Sequence, residues 1–261
     1  MNIVVLVKLV PDLVEELNID PSGAALDMSW LRLIINEFDD HAIEQAILLK
    51  ERGGGQVTIV APEYEGVDEV LFTAAAKGAD RLIKLSGDAS AGSAQVFVAA
   101  NNHALARACA AVIKELQPDL VLTGVQANND LDGPLGPTLA ECLGMPYVGY
   151  ISGVTVSDGK VTARKEYPGG LIAEMEVKLP AVLGIQAAEQ PPRYVAVSKV
   201  RMVMKTAAIE ERAADALDPS GGPAVGRMFQ PEAAVHAEMI TGSPDEVADK
   251  LVSIFKEAGV L

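Results

Sequence analysis

The chain has 261 residues, 49% of them hydrophobic and only 4% aromatic, and carries a net charge of −15. That length suits one large domain, or one domain with an extension, whose core is packed from small aliphatic side chains. The acidic balance excludes a nucleic-acid binder, since phosphates demand a basic surface, and no apolar run is long enough for membrane insertion.

Met1 leads straight into a strand without a basic segment, so no signal peptide is expected and a cytoplasmic, reducing setting is. Cys109 and Cys142 read as helical thiols without metal spacing. Asn2 to Lys8 is a continuous apolar run, the mark of a buried parallel strand. A long excursion broken by Pro11, Pro21 and Gly23 follows it. Next comes a helix with one apolar stripe, Ala42, Ile43, Ala46, Ile47 and Leu49, its start open to capping by Asp39 or Asp40. Gln56 to Ala61 and Arg81 to Leu85 are further strands, separated by a helix from Val67 to Lys77. Ser93 to Leu116 reads as a long Ala-rich helix, punctuated by Pro118. Strands alternating with helices predict an α/β fold, a doubly wound parallel sheet. From Tyr147 to Lys178 three extended runs, with turn signals at Asp158-Gly159 and Pro168-Gly169-Gly170, predict an appended antiparallel hairpin or meander. Pro180 to Ile185 is one more apolar strand.

The compact pattern dissolves after Gln190, so a domain over residues 1–190 and an extended arm over 191–261 are expected. Ala213 to Gln230 is too poor in apolar residues to bury much. A last helix begins at Ser243-Pro244-Asp245-Glu246, a capping box with proline at the first helical position. Its apolar face is Val247, Leu251, Ile254 and Phe255.

The stretch from Asp119 to Gly144 carries the most chemistry. The apolar strand Leu120 to Leu122 turns abruptly into a polar loop with Gly124, Gln126, Asn128, Asn129, Asp130, Asp132 and Gly133. A helix with Leu135, Leu139 and Leu143 at helical spacing then follows. Strand, polar loop and helix make the ligand site of a doubly wound sheet, and free N–H groups at the helix start suit a phosphate. A bare connection needs only a few residues, so this loop reads as a binding element. It matches neither GxGxxG nor GxxxxGK[ST]. Catalytic machinery is not visible. His41, His103 and His236 lie far apart, and neither GxSxG nor HExxH occurs. Asp130 and Asp132 have no partner set for acid–base work.

Six pieces in order resemble the beta subunit of electron transfer flavoprotein: VVLVKLVPD, INEFDDHAIEQAILLKE, AAAKGADR, DLVLTGVQANNDLDGPLGP, the Gly pair followed by VKLPAV, and EQPPRY. The resemblance spans nearly the whole chain. It implies an adenine-nucleotide alpha hydrolase-like (Rossmann-like) fold and a heterodimer whose alpha subunit holds most of the redox FAD. It also implies a structural AMP in this chain, or a second FAD in electron-bifurcating members. By matching position the nucleotide would meet Leu6; Asn36, Glu37, Phe38 and Asp39; Pro62; and Gly124, Val125, Gln126, Ala127, Asn128, Asn129, Asp130, Leu131, Asp132, Gly133, Pro134 and Leu135. Tyr194, Val195, Ala196, Val197 and Ser198 match the family's recognition loop for partner dehydrogenases. The resemblance implies an electron carrier rather than an enzyme. The alternative is a regulatory nucleotide-binding protein of the universal-stress type, which would not need the arm. A ligase on this fold would need an SGGxDS-type loop after the first strand, where Lys8-Leu9-Val10-Pro11-Asp12 stands instead. Glu37 replaces the family's usual proline, and Pro134 cannot donate an N–H to a phosphate.

Overall fold

The computed structural model describes residues 1–87, 97, 100–131, 133–157, 160–214, 217–218, 220–231 and 237–261. The expected helix start at Ser93, Asp132, the turn at Asp158-Gly159 and His236 therefore lie outside the described residues.

In chain order, β1 (Asn2–Leu6) runs into a short antiparallel pair, β2 (Leu9–Pro11) and β3 (Leu33–Ile35). Then come α1 (Glu37–Gly53), β4 (Gln56–Pro62), α2 (Val67–Lys77), β5 (Arg81–Ser86), α3 (Asn102–Leu116), β6 (Leu120–Gly124) and α4 (Leu135–Leu143). β7 (Tyr147–Ser157), β8 (Lys160–Tyr167), β9 (Leu171–Val177) and β10 (Ala181–Ile185) follow. α5 (Val197–Val203), β11 (Ile209–Ala213) and α6 (Pro244–Glu257) complete the chain.

A strand without polar alternation must be covered on both faces, so it belongs inside a parallel sheet. β1 fits this: Ile3, Val4, Val5 and Leu6 are fully buried. It lies inside a nine-stranded sheet of order β11-β5-β4-β1-β6-β10-β7-β8-β9. The strands from β11 to β7 are parallel, and the β7–β8 and β8–β9 pairs are antiparallel. The chain moves outward from β1 to β4 and β5, then crosses to β6 on the other side. The crevice between the carboxyl ends of β1 and β6 is therefore the topological switch point, where open α/β sheets bind ligands. The stripe Ala42, Ile43, Ala46, Ile47 and Leu49 of α1 is buried against this sheet, as its periodicity requires.

Beyond residue 190 the chain first runs back along the sheet. β11 pairs in parallel with β5 at the sheet edge, and α5 packs on α2. β11 reads Ile-Glu-Glu-Arg-Ala, too charged to look like a strand. An edge strand has one neighbour and one open side, and here the charges themselves serve the pairing. Glu210 holds Arg81 at 2.6 Å and Glu211 holds Lys84 at 3.1 Å, both on β5.

The root of this region is fastened to α1 by Arg193. Its guanidinium and backbone N–H both donate to Glu44, which is 2% exposed, and the guanidinium also reaches Glu51. Pairing with these two carboxylates holds the guanidinium firmly in its charged form. The last helix has the predicted capping box: Ser243 and Glu246 cap each other, with Pro244 at the start. None of its residues is buried, and Leu251, Val252, Ile254 and Phe255 are 37–43% exposed.

Truncating one partner of a buried ion pair leaves the other charge uncompensated. Arg193→Met is therefore expected to destabilise the chain by about 3 kcal/mol in denaturant unfolding. It should also speed proteolytic cleavage between Tyr194 and Val203. Unchanged stability and cleavage would show that Arg193 is not the fastening.

Candidate functional site

The switch-point crevice is built around one carboxylate. Asp39 lies in the first turn of α1 and is 3% exposed. Its Oδ2 accepts the backbone N–H of Lys8 at 2.8 Å, and its Oδ1 accepts the N–H of Gly124 at 2.7 Å. Gly124 closes β6 and Lys8 lies two residues beyond β1, so Asp39 staples the two strands where they diverge. It does not cap its own helix: Asn36 is the N-cap, and its side chain instead donates to the Gln126 carbonyl at 2.9 Å. Asp40 pairs with Lys77. Burial pushes the Asp39 carboxyl up to about 7, although the two backbone donors pull the other way.

Gly124 is required by close approach rather than by φ. A Cβ there would lie 2.5 Å from Asp39 Oδ1, 2.8 Å from Phe38 Cβ and 2.9 Å from Asn36 Nδ2. Gly133 is the opposite case: open space surrounds it, and its φ of +87° is what favours glycine.

The crevice is lined by Leu6, Lys8, Asn36, Asp39, Thr123, Gly124, Gln126, Ala127, Asp130 and Leu135. Its floor holds an ion pair. Lys8 Nζ lies 2.7 Å from Asp130 Oδ1, with side-chain exposures of 10% and 8%. Asn102, in the first turn of α3, donates to Asp130 Oδ1 at 2.8 Å and to the Gly133 carbonyl at 2.7 Å, while its own Oδ1 accepts from Lys8 Nζ. The Ala127 N–H donates to Asp130 Oδ2 at 2.7 Å. With this network in place the free space is about 10 Å³, room for about one water. The buried Thr123 hydroxyl has no hydrogen-bond partner among the described residues.

Eight of the residues singled out in the sequence thus share one crevice. The others sit differently. Glu37 is exposed, and Phe38 turns toward a neighbouring groove of about 780 Å³ that also meets Ser152, Arg164 and Tyr167. Pro62 is buried at the end of β4, outside the crevice wall. Val125 is a core residue whose N–H donates to the Ile185 carbonyl. Asn128, Asn129 and Leu131 face solvent, with the Asn128 amide tying the loop to the Pro11 carbonyl. Pro134 is the N-cap of α4, and with Pro137 in the first turn that helix offers few N–H donors. Tyr194 to Ser198 lie at the start of α5, away from the crevice, with Tyr194 88% and Val197 61% exposed. Lys8, Asn102 and Thr123 escaped the sequence reading. Lys8 carried a signal, being a charge that directly continues a buried strand; Asn102 carried none, since 28 residues separate it from Asp130.

Two measurements check this geometry. Gly124→Ala is expected to destabilise by about 2 kcal/mol or more, because the Phe38 Cβ and the hydrogen-bonded Asp39 and Asn36 side chains stand where the methyl group must go. A wild-type melting temperature in that variant would refute the close approach. For Asp39, the folded state keeps a proton between about pH 4, where an unfolded aspartate loses it, and about 7. The contribution of this group to stability therefore falls as pH rises through that window, and returns as pH falls. Asp39→Asn removes the titration, so the wild type should gain on the variant from pH 7 down to about 4. Parallel pH–stability curves would contradict the assignment.

The likeness to known proteins runs along the same frame. The model of the family described as "Electron transfer flavoprotein domain" matches residues 29–217. The chain is 32% identical to the electron transfer flavoprotein subunit beta of Methylophilus methylotrophus over 98% of both proteins. It is 36% identical to the subunit beta of Clostridium acetobutylicum, over 77% of this chain and 74% of that one. Against the subunit beta of Thermoanaerobacterium thermosaccharolyticum it is 31% identical over 97% and 96%. The family match over residues 29–217, with two of these relatives aligned along nearly the whole chain, places it in the electron transfer flavoprotein family, among its beta subunits.

Proposed function

We propose that this chain is the beta subunit of a heterodimeric electron carrier, which passes electrons from dehydrogenases through an FAD held mainly by an alpha subunit. In this reading the chain seats an adenine nucleotide, AMP, in the switch-point crevice. The observation that carries the proposal is the crevice itself: hydrogen-bonding groups from β1, α1, α3 and the loop after β6 converge there. Asn36, Gln126 and the backbone around Gly124 suit a base and ribose, and Lys8 supplies a positive charge for a phosphate. The donor chemistry fits a nucleotide, whereas the free space of about 10 Å³ does not hold one. The loop must therefore shift outward to admit it; its exposed Asn129 and Leu131 present little to resist that, and the Asn128 bond to the Pro11 carbonyl would have to open. The nucleotide's role is structural, joining the two halves of the sheet; the FAD supplies the redox chemistry when bound.

Exposed surfaces favour two partners. The stripe of α6 remains in contact with water, which an apolar helix face resists, and the alpha subunit is the surface we assign to it. Val197 and Tyr194, exposed at the rooted start of α5, are assigned to dehydrogenase recognition.

The test is to co-purify the chain with its alpha subunit, denature the complex and separate the released cofactors. A stoichiometric adenine nucleotide besides FAD is expected, and the isolated chain is expected to be colourless. A complex containing FAD alone would refute the structural AMP. Stoichiometric flavin on the isolated chain would replace AMP with a second FAD, as in bifurcating carriers.

A further inference from the structure

Asp130 is held as a bound anion is held. Its Oδ1 accepts from the Lys8 ammonium at 2.7 Å and the Asn102 amide at 2.8 Å, and its Oδ2 accepts from the Ala127 N–H at 2.7 Å. The donors come from three separate places: the end of β1, the start of α3 and the loop itself. Carboxylate and phosphoryl oxygens take the same charge-assisted donors.

We propose that Lys8 Nζ, Asn102 Nδ2 and the Ala127 N–H form a phosphate-binding hole, which the Asp130 carboxylate fills as an internal stand-in until a phosphoryl group displaces it. Three features force exchange rather than addition. The crevice has only about 10 Å³ to spare, so a phosphate cannot enter beside Asp130. Asp39, in the same wall, already takes up the Lys8 and Gly124 N–H groups, so neither donor is left for an added phosphate. Lys8, only 10% exposed, cannot be left without a counter-charge, so whatever removes Asp130 must be an anion itself. Asp130 is also the loop's charged inward anchor, while its neighbours Asn129 and Leu131 face solvent. Its release would both expose the donors and free the loop to admit the rest of a ligand. The buried Thr123 hydroxyl, which has no hydrogen-bond partner among the described residues, lines the same crevice and offers a further donor. Only the attachment of the phosphate to a nucleotide rests on the function proposed above; the hole itself is probed with inorganic phosphate.

The experiment compares melting temperatures of the full chain in inorganic phosphate and in chloride of matched ionic strength. Wild type should respond weakly, because its own carboxylate competes. Asp130→Ala should melt lower in chloride and recover in millimolar phosphate, and adding Lys8→Met should abolish that recovery. Equal responses of wild type and Asp130→Ala, or recovery that persists without Lys8, would overturn the proposal. Should Asp130→Ala fail to fold in both salts, Asp130→Asn decides. Its preference for AMP over adenosine, read by calorimetry, should exceed that of the wild type by about tenfold; an unchanged preference overturns the proposal. The two readings fail separately. Phosphate recovery in a complex that carries no nucleotide keeps the hole and removes the AMP. Tight AMP with no phosphate response in Asp130→Ala keeps the AMP and removes the hole.

Discussion

The structure depends most on the Asp39 carboxylate spanning the gap between β1 and β6. Parallel strands that diverge at a switch point leave backbone donors facing each other across a crevice, where neither strand can satisfy the other. Each buried N–H left unpaired costs about 1–3 kcal/mol. Asp39 satisfies two of them, at 2.8 and 2.7 Å, with the two oxygens of one side chain. The price is a carboxylate in a dry site, visible in its raised titration. Its position follows from α1, whose first turn brings Asp39 and Phe38 hard against Gly124.

α1 thereby serves both ends of the molecule. Its N-terminal turn shapes the crevice, while further along Glu44 and Glu51 hold Arg193 and so root the chain that leads to α5. Gln45, fully buried, bonds to Val154 and Glu189, and the His41 ring accepts the Ala188 N–H. One helix thus presents an apolar stripe to the sheet and a polar stripe to the segment after β10. The surface assigned to a dehydrogenase stands on the same rigid element as the crevice assigned to a nucleotide.

The chain after β11 has a different character. Its last helix is well formed locally, since the capping box and proline need only neighbours in sequence. Tertiary burial is what it lacks, with a full apolar stripe left in contact with water. Helices of this length are marginal without packing, so its stability falls to whatever surface it meets.

The sequence by itself determined whatever rests on short-range pattern. Runs of Val, Ile and Leu without alternation specify the buried parallel strands, and the spacing in α1 specifies its buried face. The Ser243–Glu246 box specifies the start of α6, and the abrupt turn to polarity after β6 marks the site loop. The tertiary structure alone decided which side chains meet. Lys8 and Asp130 are 122 residues apart, Lys8 and Asn102 are 94 apart, and Arg193 and Glu44 are 149 apart. Nothing in periodicity records such pairs, because a charge reads as solvated until the fold removes its water. β11 belongs with them: its place in the sheet comes from an open edge and two ion pairs on β5, not from any apolar pattern of its own.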